Sequence, residues 1–234
     1  MALHDFVPAA NQGADPAVYE IENEAIDPQG VLWTALRQAA DWRHKVLVDL
    51  GCGSGYWLQK YSESEKTIGI EPDERLLDAA RGRTRRAKVF HGSAEHIPLA
   101  DSSVDVVHAR FAYFFPSEDF DPSAGLEEAA RVLRPGGRLV VIDNDHVLGE
   151  FAALLRTSAP AAAQGRDGYP SDWWREKSAR TAAVMSRWQF HSRSDLERVL
   201  NLKFPADVAG DWLLRHPERL GLSYGYLLHI WTKA

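Results

Sequence analysis

Between positions 46 and 55 the chain reads Val46-Leu-Val-Asp49-Leu-Gly51-Cys52-Gly53-Ser-Gly55. An apolar run passes straight into glycines at alternate positions, which lets the backbone turn sharply and approach a ligand with no side chain in the way. That is a binding loop for something flat or extended, set at the end of a first strand, where open α/β sheets hold their ligands. A dinucleotide loop needs G-x-G-x-x-G, but the sixth position is Tyr56 counted from Gly51 and Leu58 counted from Gly53. The dinucleotide spacing therefore fails. Cys52 has no evident base beside it and reads as a small loop residue, not a nucleophile. The nine histidines form no H-E-x-x-H motif and no paired Cys/His spacing, so no metal is expected.

The elements that must position this loop follow from periodicity. Residues 1 to 27, interrupted by Pro8 and Pro16 with Pro28 just beyond, read as an irregular arm around a short helical piece near Tyr19 to Glu24. Val31, Leu32, Ala35, Leu36 and Ala39 recur at helical spacing. Strand and helix signals then alternate: strands Val46 to Leu50, Thr67 to Ile70, Lys88 to His91, Val104 to His108 and Leu139 to Asp143, with helices from Tyr56, through Arg75 to Arg81 and through Leu126 to Leu133. Short strands apolar on both faces and separated by helices predict parallel βαβ units between two helix layers. Beyond Gly149, Phe151 to Thr157 reads as helix and Ala159 to Ser171 as a loop or lid. Val184 to Phe190 reads as a strand, Ser194 to Leu202 as a helix with Ser194 and Glu197 as capping box, and Ala206 to Arg215 as a further helix. Leu222 to Trp231 has large apolar groups on both faces, which predicts a strand inside the sheet. The expectation is an α/β fold: a doubly wound, mostly parallel seven-stranded sheet with helices on both faces and an inserted lid or small substrate-side region after the fifth strand.

Composition narrows the partners. With 234 residues, 45% hydrophobic and 26% charged, the chain suits one domain with a sizeable core. A net charge of -6 disfavours a nucleic-acid partner, since phosphate-backbone binding draws on a surplus of Lys and Arg. The basic run Arg81, Arg83, Arg85, Arg86 and Lys88 reads as a solvated helix end whose cations complement the helix dipole. No apolar run is long enough to span a bilayer, the first ten residues lack a signal-peptide pattern, and the single Cys52 cannot form an intrachain disulfide. A cytoplasmic protein without a membrane partner is expected.

The acidic residue followed by G-x-G-x-G resembles motif I of class I, Rossmann-like S-adenosylmethionine-dependent methyltransferases. The resemblance continues through Ile68-Gly-Ile-Glu71-Pro-Asp, Gly92-Ser93-Ala94-Glu95-His-Ile-Pro-Leu-Ala-Asp-Ser-Ser-Val-Asp105 and Glu127-Glu-Ala-Ala-Arg-Val-Leu-Arg-Pro-Gly-Gly137-Arg-Leu-Val-Val. It implies S-adenosylmethionine as cofactor. Asp49 and the loop at Gly51, Cys52 and Gly53 would face its methionine part, although Asp49 at a strand end can also simply accept backbone hydrogen bonds. Glu71 would accept both ribose hydroxyl protons. Ser93, Ala94 and Glu95 would border the adenine, with Ser93 standing where the family often has Asp. Arg110 would line the methionine and substrate side.

The implied activity moves a methyl group to an oxygen, nitrogen or carbon of a small molecule. Alignment and exclusion of water supply most of the acceleration for such a displacement. Where the acceptor must lose a proton, a base belongs near the ends of the fourth and fifth strands. His146, after Asp143-Asn-Asp145, is the candidate base, with a solvent-facing loop histidine as the equal alternative; Tyr113 and Asp145 are weaker candidates. Phe111, Tyr113, Phe114 and Phe115 after the fourth strand and Trp173 and Trp174 after the lid are candidates to shape an acceptor pocket or face the sulfonium, Tyr113 and one of the two tryptophans foremost, with ordinary core packing as the alternative. Residues 1-43 are expected to cover the cofactor site, 44-145 to form the cofactor-binding core, and 146-234 to supply the lid and last strands, in a monomer or homodimer. Two rivals are a nicotinamide-dependent oxidoreductase and a non-catalytic S-adenosylmethionine-binding protein.

Overall fold

A computed structural model describes residues 15–117, 119–158 and 169–234, the side chain of Tyr169 excepted. Seven strands form one sheet: β1 (Val46–Leu50), β2 (Lys66–Glu71), β3 (Ala87–His91), β4 (Val104–Arg110), β5 (Leu133–Asn144), β6 (Arg180–Gln189) and β7 (Gly221–Thr232). Their order is β3-β2-β1-β4-β5-β7-β6. Strands β1 to β5 pair in parallel, and β7 enters antiparallel between β5 and β6. The seven-stranded, mostly parallel sheet and the internal place of Leu222 to Trp231 are as the apolar patterning predicts.

The described helices are α1 (Pro16–Ala25), α2 (Val31–Ala39), α3 (Glu74–Arg83), α4 (Ser123–Val132), α5 (Glu150–Thr157), α6 (Tyr169–Glu176), α7 (Arg193–Lys203) and α8 (Ala206–Arg215). Alternation along the strands sorts them into layers. Leu47, Val106 and Val140 face a core completed by α1, α2, α5, α7 and α8, whereas Val48, Val107 and Val141 face one completed by α4 and α6. The central strands β1, β4 and β5 thus bury both faces, the condition for parallel pairing.

Four boundaries differ from the sequence reading. The helix expected from Tyr56 is a single 3-10 turn, Leu58–Tyr61. Here Trp57, Leu58 and Tyr61 are all buried, and side-chain packing directs the chain where no long amphipathic stripe exists. Strand β6 begins at Arg180 and not at Val184, because β7 offers it a ten-residue antiparallel partner. The cap of α7 is Ser192, whose side chain accepts from the Asp195 amide at 3.1 Å; Ser194 already lies inside the helix. At Pro135-Gly136-Gly137 the chain bulges from β5, so that Leu133 pairs with Val104 and Arg138 with Val106. Gly136 takes φ +77° there, the left-handed region that glycine enters without a Cβ penalty. Of the proposed arm, residues 1–14 lie outside the described residues, as does the lid from 159 to 168. Its last residues, from Tyr169, open α6.

Candidate functional site

The carboxyl ends of β1, β2, β4 and β5 meet at one edge of the sheet. The glycine loop leaves β1 there, with the amides of Gly51 and Cys52 donating to the Ile70 carbonyl at 2.8 and 3.0 Å. Gly51, Gly53 and Gly55 all have positive φ. At Gly55 a Cβ would lie 3.0 Å from the Ala80 backbone, so α3 packs against the loop as closely as a glycine allows. Helix α1 holds the loop from the other side: Glu20 accepts from the Ser54 hydroxyl at 2.6 Å and from Arg83 at 2.7 Å.

Glu71 ends β2 with its carboxylate buried. It accepts the Gly53 amide at 2.7 Å and the Asp73 amide at 2.9 Å, bridging the glycine loop to the start of α3. Burial pushes its carboxyl up to about 7, partly opposed by those two amides. Asp49 lies beside His108 in the β1–β4 register, and burial raises its carboxyl to about 7 against the pull of Arg110. Two buried carboxyls thus stand at one strand edge, Glu71 held by two backbone amides and Asp49 within the field of Arg110. Cys52 is buried, and burial pushes its thiol well above the ordinary range, which agrees with an unreactive loop residue.

Ser93 and Ala94 are buried in a turn closed by the Ser93 amide on the His96 carbonyl at 3.2 Å. Glu95 is half-exposed. Tyr113 lies over the glycine loop, since a Cβ on Gly51 would come within 3.1 Å of its ring. Arg110 ends β4, donates to the Asn23 side chain at 2.9 Å and stands 4.5 Å from the centroid of the Trp57 ring.

Beside Arg110 lies a cavity of about 220 Å³. Phe111, Phe151 and Tyr224 are among the rings that wall it, Asn144 brings in the end of β5, and Glu22 and Lys203 reach it from α1 and α7. Of the aromatics singled out in the sequence, Phe111 lines this cavity. Trp173 and Trp174 do not: both are buried in the second core, where Trp174 stacks on His229 at 5.2 Å and the Trp173 indole donates to Asp121 at 3.1 Å. Helix α6 turns them inward against the sheet. His146 is half-buried in the loop after β5, with burial holding its ring below the usual histidine value against Asp145. Asp145 accepts from the amides of Val147 and Leu148 at 2.8 and 3.1 Å, so its carboxylate is committed to that turn.

Glu22, Asn144, Lys203 and Tyr224 were not singled out in the sequence. Their only signals were a buried position on an otherwise acidic helix and the ends of strands and helices, which become informative only once the sheet order is known.

Residues 48–141 match a family model described as a methyltransferase domain. These residues form a class I, Rossmann-like S-adenosylmethionine-dependent methyltransferase domain. An uncharacterised methyltransferase of Mycobacterium tuberculosis is 34% identical over 161 residues, which cover 68% of this chain and 60% of that one. The demethylmenaquinone methyltransferase of Lactococcus lactis is 31% identical over 126 residues, 49% of each chain. A crystal structure described as an S-adenosylmethionine-dependent methyltransferase from Aquifex aeolicus shares the fold, with TM-score 0.52, 16% identity, and coverage of 91% of this chain and 98% of that one. The chain thus spans about 60% of the length of the first curated relatives it matches. For a class I methyltransferase domain the cofactor is S-adenosylmethionine.

Proposed function

We propose that the protein is an enzyme that moves a methyl group from S-adenosylmethionine to an oxygen, nitrogen or carbon of a small molecule. The observation that carries this reading is the pair of buried carboxyls, Asp49 and Glu71, flanking the glycine loop, with Arg110 linking Asp49 to an aromatic-walled cavity. When bound, the cofactor supplies a methyl on a positively charged sulfur. Asp49 with the backbone of Gly51, Cys52 and Gly53 holds its methionine part, and Glu71 its ribose. Ser93, Ala94 and Glu95 border the adenine, and Arg110 stands between the methionine end and the acceptor.

On this reading the described part of residues 1-43 covers the site, the described part of 44-145 builds it, and the described part of 146-234 closes the acceptor side. Glu20 and Asn23 on α1 clasp the glycine loop and Arg110 respectively, which supports α1 as a cover that excludes water and fixes the approach. A small acceptor accords with the net charge of -6. Among the described residues no helix is long and apolar enough to cross a membrane.

Tyr113 and His146 are the side chains assigned to the reacting end. Burial favours the neutral ring of His146 over the charged one, and the neutral ring is the form that takes a proton from an acceptor hydroxyl or amine. Incubating the pure protein with a cell extract and methyl-labelled cofactor tests the activity: label in a small-molecule product is expected, and its persistent absence points to a binding protein without catalysis. In the same assay His146→Ala is expected to lower turnover by about 10²-fold or more, the usual contribution of a proton-transfer group, with cofactor affinity preserved. An unaltered rate would leave His146 as a loop residue.

A further inference from the structure

We propose that the cavity beside Arg110 takes a single aromatic ring bearing a hydroxyl, and that Glu22 accepts that hydroxyl's proton as a hydrogen bond. The assignment rests on the methyltransferase reading and names the acceptor class for the same site.

Three observations carry it. The first is size. An apolar cavity of roughly 150 Å³ admits benzene, and a water in liquid occupies roughly 30 Å³. A space of about 220 Å³ therefore fits one ring with about two further heavy atoms. The second is the walls. Phe151 and Tyr224 stack with centroids 3.9 Å apart, and Phe111 lies nearly parallel to Tyr224, 22° between planes at 6.4 Å. These flat apolar faces suit a flat guest.

The third is an unmet polar atom. Glu22 lines the cavity with its side chain only 8% exposed; one carboxylate oxygen pairs with the Lys203 ammonium at 2.6 Å. The other, Oε2, is buried with no hydrogen-bond partner. A buried carboxylate oxygen without a donor is costly, and the few such atoms in a folded protein call for an explanation. A donor arriving with the ligand provides one. The charge balance selects the kind of donor. Arg110 and Lys203 against Glu22 leave the lining with a surplus of positive charge, which repels an ammonium and tolerates a neutral O–H. Other polar groups at the wall already face one another: the Tyr224 hydroxyl donates to the Asn144 side-chain oxygen, and Arg110 donates to Asn23.

Two probes of one shape isolate the hydroxyl: 4-methylphenol and 1,4-dimethylbenzene. Each is titrated by NMR into the full chain saturated with S-adenosylhomocysteine, whose own binding is measured first by calorimetry. At least tenfold tighter binding of 4-methylphenol is expected, the scale of a hydrogen bond to a charged acceptor. Glu22→Gln should shrink that preference to about threefold or less. Leu155→Phe, which fills the cavity from α5, should abolish binding of both rings while the melting curve and S-adenosylhomocysteine affinity hold. Equal affinity for the two probes, or no ring binding by a protein that binds S-adenosylhomocysteine, would overturn the acceptor assignment and leave the cofactor reading in place. Failure to bind S-adenosylhomocysteine would instead overturn the cofactor reading and the acceptor assignment with it.

Discussion

Replacing Glu71 by alanine is expected to weaken S-adenosylmethionine binding by about 1 to 3 kcal/mol, the cost of removing a charged hydrogen-bond partner. Two losses add. The ribose hydroxyls lose their acceptor, and the amides of Gly53 and Asp73, now held at 2.7 and 2.9 Å, lose theirs. The loop then has to be ordered by the ligand, which draws on the same binding energy. Glu71→Gln separates the two contributions, since its amide oxygen still accepts one of these bonds while the charge is gone. Calorimetric titration of the three proteins checks the ranking, with wild type tightest, Gln intermediate and Ala weakest. Unchanged affinity in the alanine variant would remove Glu71 from the ribose.

The largest loss of stability at the site is expected for Gly51→Val. A Cβ on Gly51 would lie 2.7 Å from the Ala112 Cβ and 3.1 Å from the Tyr113 ring, on a backbone at φ +76°. The left-handed conformation costs an L-residue roughly 1–2 kcal/mol, and overpacking adds typically 1–3 kcal/mol, so a total of about 2–5 kcal/mol is expected. Gly136→Ala provides the control. That residue has nearly the same φ, +77°, but open space around a Cβ, so only the conformational part of the cost applies. Urea unfolding of both variants distinguishes crowding from backbone strain. Equal losses would mean that the contact between the glycine loop and Tyr113 contributes nothing.

How far the sequence anticipates this arrangement depends on whether a feature is local. The glycine loop is local, because a buried strand followed by alternate glycines has few other uses. Its failed dinucleotide spacing at Tyr56 and Leu58 is local as well. Strand β7 is legible through Leu222 to Trp231, where apolar groups on both faces leave only an internal position. The acceptor cavity is not local. Glu22, Asn144, Lys203 and Tyr224 come from α1, β5, α7 and β7, and a strand order that inserts β7 beside β5 is what assembles them. The same reason explains Trp173 and Trp174: adjacent tryptophans after a loop read equally well as pocket wall or core, and the packing of α6 decides for the core. The cap of α7 shifts from Ser194 to Ser192 because two serines two positions apart offer competing starts.

The central proposal is that Asp49 takes the ammonium of S-adenosylmethionine and Glu71 its ribose hydroxyls. Burial raises the carboxyls of Asp49, Glu71 and Asp143 to about 7, above the roughly 4 of an unfolded carboxyl. The sign follows by linkage: the free protein has this contribution in full below about pH 4 and loses it as pH rises through about 7. A bound ammonium favours ionised Asp49, so cofactor affinity should run the other way with pH. Calorimetric titration with S-adenosylmethionine at pH 6 and pH 8, with NADP in parallel, tests this directly. The expected result is S-adenosylmethionine binding that tightens by up to about tenfold from pH 6 to pH 8, a gain set by one ionisation, that flattens in Asp49→Asn, with no NADP binding. Binding of NADP without S-adenosylmethionine, or affinity that falls as pH rises, would contradict it.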